Sequence, residues 1–394
     1  MSHNFNNIIA RHNTNSLKFD GAKKRGKPTD AIPMWVADTD FAAPNCVLNA
    51  LQHSVSQGIF GYSEPNDNYY NILSNWLKQQ HNTAIEADWV LHSPGIVFAL
   101  NVAIRAYTDI GDAVLIQTPV YYPFMSSVTN NNRKLVTNAL QYSKKTNKYE
   151  IDFYDFEQKI IANKVKLFVL CSPHNPVGRV WTKQELKQLG DICLKNNVLV
   201  VSDEIWADLV YAPNIHNNFY SVDKNFLDNS IICFAPSKTF NLAGLQFSDI
   251  IIADKSLRNK FNFEFKSSGY EQLNTLGIVA AQAAYSKDGA EYLTELLAYL
   301  KQNRDYLSNF IKQNLPQINM VEAQATYLAW LDFKNLNLPH SQTENLLLTK
   351  AKIWLSSGTV FCPQNGKNFF RLNFACPIDT LKKACDKILQ TLHA

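Results

Sequence analysis

Lys238 stands in APSKTFNLAGLQ (235–246), just after the apolar run IICF. An amine there would be partly desolvated, which lowers its pKa and favours imine chemistry. Lysines are usually surface residues, so Lys238 gains meaning only from what lies beside it. Asp203 ends the run VLVVS. A carboxylate at the end of a buried strand is costly unless a cation meets it, and a protonated pyridine nitrogen is such a cation. The same group could instead cap a following helix, and Glu204 could take that role. Asn175, in SPHNPVGRVW (172–181), is flanked by Pro173 and Pro176, so its amide would be a rigid donor for a phenolic oxygen. Tyr121, in TPVYYPF (118–124), could stack on a flat heteroaromatic ring or be a plain aromatic in a proline-bounded loop. Gly95, in HSPGIVFALNVAIRA (92–106), opens a helix whose free Ile96 and Val97 N–H groups could hold a phosphate dianion. A glycine before a helix is also what an ordinary turn uses. Ser237, beside Lys238, could bind the same phosphate.

These residues share a context. The runs 113–117, 166–172, 198–204 and 231–237 are continuously apolar, which suits parallel strands buried on both faces. Helical stretches separate them, among them 182–197, where Thr182 is the expected N-cap and Glu185 completes a capping box. The series reads as βαβ, hence an α/β domain with a mostly parallel sheet flanked by helices. In open sheets of this kind the carboxyl ends of the strands build the ligand crevice.

Past residue 288 the pattern changes. A long amphipathic helix (about 289–314), short strands around 318–333 and 368–374, and helices at about 342–352 and 377–391 make an α+β unit. The expected division is 1–45 as a segment packing on the small unit, 46–288 as the large domain and 289–394 as the small one. The segment 211–221, YAPNIHNNFYS, is the nearest thing to a polar break.

With 394 residues, two domains are the default. Net charge is +4 with both signs interspersed, so no nucleic acid is implied. Seven scattered cysteines, with no CxxC pair, suggest neither a disulfide framework nor a metal site. No stretch is long and apolar enough to span a membrane, and the N-terminus has no apolar signal core. A reducing cytoplasm is the expected address.

Taken in order, Gly95, Tyr121, Asn175 in NPVG, Asp203, Lys238 and a late FRLNFA resemble the fold-type I pyridoxal-5'-phosphate (PLP) enzymes, the aspartate aminotransferase superfamily. Longer segments, IPMWVADTDF (32–41), FGYSEP (60–65), APSKTFNLAGLQ and TYLAWLDF (326–333), resemble the MalY/PatB group of cystathionine β-lyases, or C–S lyases. The resemblance implies that Lys238 is the Schiff-base lysine and general base, with Asp203 on the pyridine N–H, Asn175 on the phenolic oxygen and Tyr121 on the ring. It implies that the Ile96 and Val97 amides and Ser237 hold the phosphate, and that Arg371 clamps the substrate α-carboxylate. Trp35, Ala37 and Asp38 would lie near the substrate. Tyr62 would reach the phosphate in the neighbouring subunit, which requires a homodimer with shared sites.

Two positions depart from the aminotransferase pattern. Gln246 stands where an arginine is usual, and Trp206 where a tyrosine is usual. The resemblance therefore favours β-elimination on a sulfur amino acid. An aminotransferase is the second reading, and a non-catalytic PLP-binding regulatory protein a distant third.

Overall fold

The computed structural model describes residues 3–393. A seven-stranded sheet is built, in chain order, from β1 (Val90–Ser93), β2 (Ala113–Thr118), β3 (Lys134–Ala139), β4 (Leu167–Cys171), β5 (Leu199–Asp203), β6 (Ser230–Phe234) and β7 (Ser248–Ile251). Its spatial order is β1-β7-β6-β5-β4-β2-β3. Within this sheet β7 runs opposite to the other six strands. The carboxyl ends of β1, β2, β4, β5 and β6 therefore meet at one edge, where β7 begins. The continuous apolar runs are the central strands, buried on both faces. In β2, Val114 and Ile116 pack into one cluster with helix α1 (Ile96–Tyr107), while Leu115 packs into the other. Truncating Leu115 to Ala would cost about 2–5 kcal/mol.

Helix α2 (Lys183–Lys195) starts at Thr182, whose side chain accepts from the Glu185 N–H while the Glu185 carboxylate accepts from the Thr182 N–H. This is the expected capping box. Helix α3 (Lys287–Asn314) leads into a four-stranded antiparallel sheet of β8 (Asn319–Met320), β9 (Leu328–Asp332), β10 (Ser356–Ser357) and β11 (Phe369–Asn373), ordered β8-β9-β11-β10. Helix α4 (Ile378–His393) closes the chain. Where a single helix was expected over 342–352, a short α-helix (His340–Asn345) widens into a π-helical turn (Leu346–Lys350) that carries Leu347 into the core.

The stretch 211–221 is not a break. His216 and Asn218 are buried on Glu204, and Phe219 and Tyr220 belong to the core. Ile32–Pro33 pairs in parallel with Ile353–Trp354. Asn373 Nδ2 donates to the carbonyls of Val36 and Asp38. The start of the chain is thus stitched to the small sheet. Among the described residues no helix is long and apolar enough to cross a membrane.

Candidate active site

A cavity of about 910 Å³ opens at the carboxyl edge of the large sheet, between it and the small sheet. Gly95, Ile96, Val97, Tyr121, Asn175, Asp203, Ser237, Lys238, Arg371, Trp35 and Ala37 all line it, as do Trp206 and Gln246.

At one end, Gly95 has φ +156°, and a side chain added there would meet no atom within 4 Å. This conformation suits glycine, and the open space above it leaves room for a ligand to approach the backbone. No side chain caps α1, so its first N–H groups face the cavity side without an intrahelical partner. They form an anion cradle. Ser237 is half-buried beside it, and Gln246 is exposed at its rim with φ +51°.

Lys238 follows β6 by four residues. Its anchor is the next residue, since Thr239 donates its hydroxyl to the buried Asp208 at 2.8 Å. The Lys238 amine donates to the Ala37 carbonyl at 2.8 Å and lies 5.8 Å from the Trp206 ring centre. Burial holds its pKa down, to about 8, and the Arg371 charge adds to this against the pull of Asp38 and Asp203. Such an amine has a substantial neutral, nucleophilic fraction near neutrality.

Asp203 ends β5 and is buried, and its pKa is pushed up to about 7 by that burial. Its recorded protein hydrogen bond comes from the Ile205 N–H, at 3.2 Å. No helix follows it, so it is no helix cap. Glu204 does different work: it accepts from Ser202, His216, Asn218 and the Phe219 N–H.

Arg371 sits mid-strand in β11, opposite Trp330 and Ser356. Its Nη1 donates to Asn175 Oδ1 at 3.0 Å and its Nη2 to the Trp35 carbonyl at 2.8 Å, while Nε has no partner. No carboxylate pairs with this buried guanidinium among the described residues, and burial lowers its pKa to about 10. A buried cation with a free donor is a site for an anion. Asn175 also accepts the Tyr121 N–H at its carbonyl, 3.0 Å away, and burial raises the Tyr121 phenol to about 12.

Two expected residues lie outside the cavity wall. Asp38 is ion-paired with Arg11 at 2.8 Å and Lys18 at 3.5 Å, while its charge still acts on Lys238. Tyr62 is 90% exposed on the surface of the single chain. Conversely, Trp354, Ser356, Tyr270, Lys27 and Glu344 line the cavity and were not foreseen. Trp354 stacks on Trp35 with centroids 4.3 Å apart, and Ser356 donates to the Trp35 carbonyl. Their only signal was the pairing of residues 32–33 with 353–354, which no local pattern announces.

A phosphate cradle, an imine-competent amine, a carboxylate awaiting a cation and a flat aromatic wall fit PLP. The family model for class I and II aminotransferases matches residues 30–388. The chain is 40% identical to the cystathionine β-lyase PatB of Bacillus subtilis, over 99% of this chain and 100% of the relative. It is 31% identical to the protein MalY of Escherichia coli, over 99% of each. A PLP-bound C–S lyase from Staphylococcus hominis, complexed with the inhibitor L-cycloserine, superposes with a TM-score of 0.92 at 34% identity, covering 99% of each chain. The chain belongs to the class I and II aminotransferase family and, within it, to the MalY/PatB group of PLP-dependent C–S lyases.

Proposed function

We propose that the enzyme cleaves L-cystathionine and water to L-homocysteine, pyruvate and ammonia. The observation that carries this reading is the meeting of Lys238, Asp203 and an anion-free Arg371 in one cavity of a chain 40% identical to a cystathionine β-lyase. Bound PLP supplies an electron sink for the charge left at the substrate's α-carbon.

The chain's own residues do the rest. Arg371 binds the α-carboxylate through its planar fork, held by Asn175 and the Trp35 carbonyl. Asp203 would keep a proton on the cofactor's pyridine nitrogen, and Asn175 and Tyr121 would hold the ring. The α1 amides and Ser237 would hold the phosphate. Lys238 would anchor the cofactor through Nζ and, when free, is the base placed to take the substrate's α-proton; its depressed pKa suits a base near neutrality.

The exposed apolar segment Ile59, Phe60 and Tyr62 supports a homodimer in which Tyr62 completes the partner's phosphate site. Seven free cysteines, six of them buried, fit a reducing cytoplasm. The division into a large domain (46–288), a small domain (289–394) and an N-terminal segment (1–45) fits the two separate sheets.

The test is product stoichiometry without added keto acid. Homocysteine, pyruvate and ammonia should appear in equal amounts over many turnovers. A single half-reaction that resumes only on adding a keto acid would make the enzyme an aminotransferase.

A further inference from the structure

Among the described residues, five charged side chains line the cavity: Lys27, Asp203, Lys238, Glu344 and Arg371. The cofactor and the α-carboxylate account for three of them. The remaining two face each other, Lys27 Nζ lying 3.3 Å from Glu344 Oε1. Lys27 comes from the N-terminal segment and Glu344 from the short helix His340–Asn345. Both are partly exposed, at 27% and 39%, so water or a ligand reaches them.

The wall between this pair and Arg371 is aromatic. The Trp35 backbone accepts from Arg371, and its ring lies on Trp354. Trp354 and Glu344 also share the wall of an adjoining cleft. From Arg371 outward the cavity therefore presents a cation for one carboxylate, the edge of the Trp35–Trp354 stack with the Arg25 guanidinium over Trp35, and a paired cation and anion. A thioether chain suits the middle section, since sulfur packs well against aromatic rings. The outer pair is complementary to a second amino-acid head, with Lys27 for its carboxylate and Glu344 for its ammonium.

We infer that Lys27 and Glu344 form a specificity site for the distal zwitterion of a thioether-linked double amino acid. This rests on the β-elimination reading and adds to it that such a substrate is taken in preference to a plain S-alkylcysteine. The pair opens its 3.3 Å contact and exchanges it for two contacts with the ligand, so the net gain is modest per group.

The test compares L,L-cystathionine with S-ethyl-L-cysteine, which has the same reacting end and no distal head. In Lys27→Met and in Glu344→Gln holoenzyme, the kcat/KM ratio favouring cystathionine should fall about threefold, as expected for loss of one partly exposed charge contact. If the pair is only a tether between segments, both substrates lose rate alike and the ratio stays; that result overturns the inference. The same preference is read independently of turnover by titrating each amino acid against the cofactor's absorbance. Absence of pyruvate from both substrates with the unaltered enzyme would overturn β-elimination. The titration would then decide the inference alone: a cystathionine preference abolished by Lys27→Met upholds it, and equal affinity for the two ligands in the unaltered enzyme refutes it.

Discussion

Asp203 and Glu204 are adjacent carboxylates, both buried, yet their surroundings differ sharply. Behind the sheet edge, Glu204 accepts from four groups, and nearby Asp208 accepts from His81, Trp76 and Thr239. At the front, Asp203 has one N–H at 3.2 Å, and across the cavity Arg371 keeps an unpartnered Nε. The back is a closed network that stiffens the floor of the site. The front holds charges whose partners are missing from the polypeptide, which is how a protein reserves free energy for a ligand. The same degree of burial thus serves structure in one place and recognition in the other.

The largest effect should come from Asp203→Asn, which removes one partner of a buried pair with the cofactor. Transition-state stabilisation, read from kcat/KM, should drop by about 3–5 kcal/mol. The cofactor-free protein should respond oppositely. Asp203 is raised from 3.8 to about 7 in the folded state, so its contribution favours folding below pH 4 and is lost as pH rises through 7. The Tm advantage of Asp203→Asn over the unaltered apo-protein should grow across that interval. A constant difference would mean that Asp203 is already satisfied by the protein.

Next in size is Arg371→Lys, which keeps the charge and loses the fork. We expect a loss of about 2–4 kcal/mol in kcat/KM with cofactor retention little changed, since the missing partner here is substrate. If cofactor loss accompanies it, the front wall does not divide its charges between the two ligands. Glu204→Gln should act on the back alone. It should lower stability by about 1–3 kcal/mol in urea unfolding, because buried donors lose their acceptor; a selective fall in kcat with intact stability would erase the contrast between front and back. The smallest effect is expected of Tyr62→Phe. PLP retention should weaken by about 1 kcal/mol, one hydrogen bond, and more visibly on dilution. Equal retention by a strictly monomeric protein would remove Tyr62 from the site.

The gathering of Lys238, Asp203, Asn175 and Tyr121 at the front of the sheet was readable because each follows an apolar run, and one strand direction brings the run ends together. Their proposed roles came from the family resemblance, not from that logic. The capping box at Thr182 was legible because all its parts lie within four residues. The ion pairs of Asp38 with Arg11 and Lys18 were not legible, because they depend on how an unpatterned segment folds back on itself. His216 and Asn218 read as polar loop because nothing local says that Glu204 waits beneath them. Lys27 and Glu344 are more than 300 positions apart, and only the register of Ile32–Pro33 against Ile353–Trp354 aligns them.

That register also orders events in time. The strands that carry Gly95, Asn175, Asp203 and Lys238 are complete once residue 251 has been made, so a nascent chain can assemble the PLP side of the site early. Arg371 is synthesised more than 100 residues later and must find the carbonyl of Trp35, 336 positions upstream. Closing so long a loop is slow. A ribosome-bound or C-terminally truncated chain would own the residues proposed to hold the cofactor while lacking Glu344 and Arg371, two of those proposed to choose the amino acid. Substrate selection is thus the last property this polypeptide acquires as it is made.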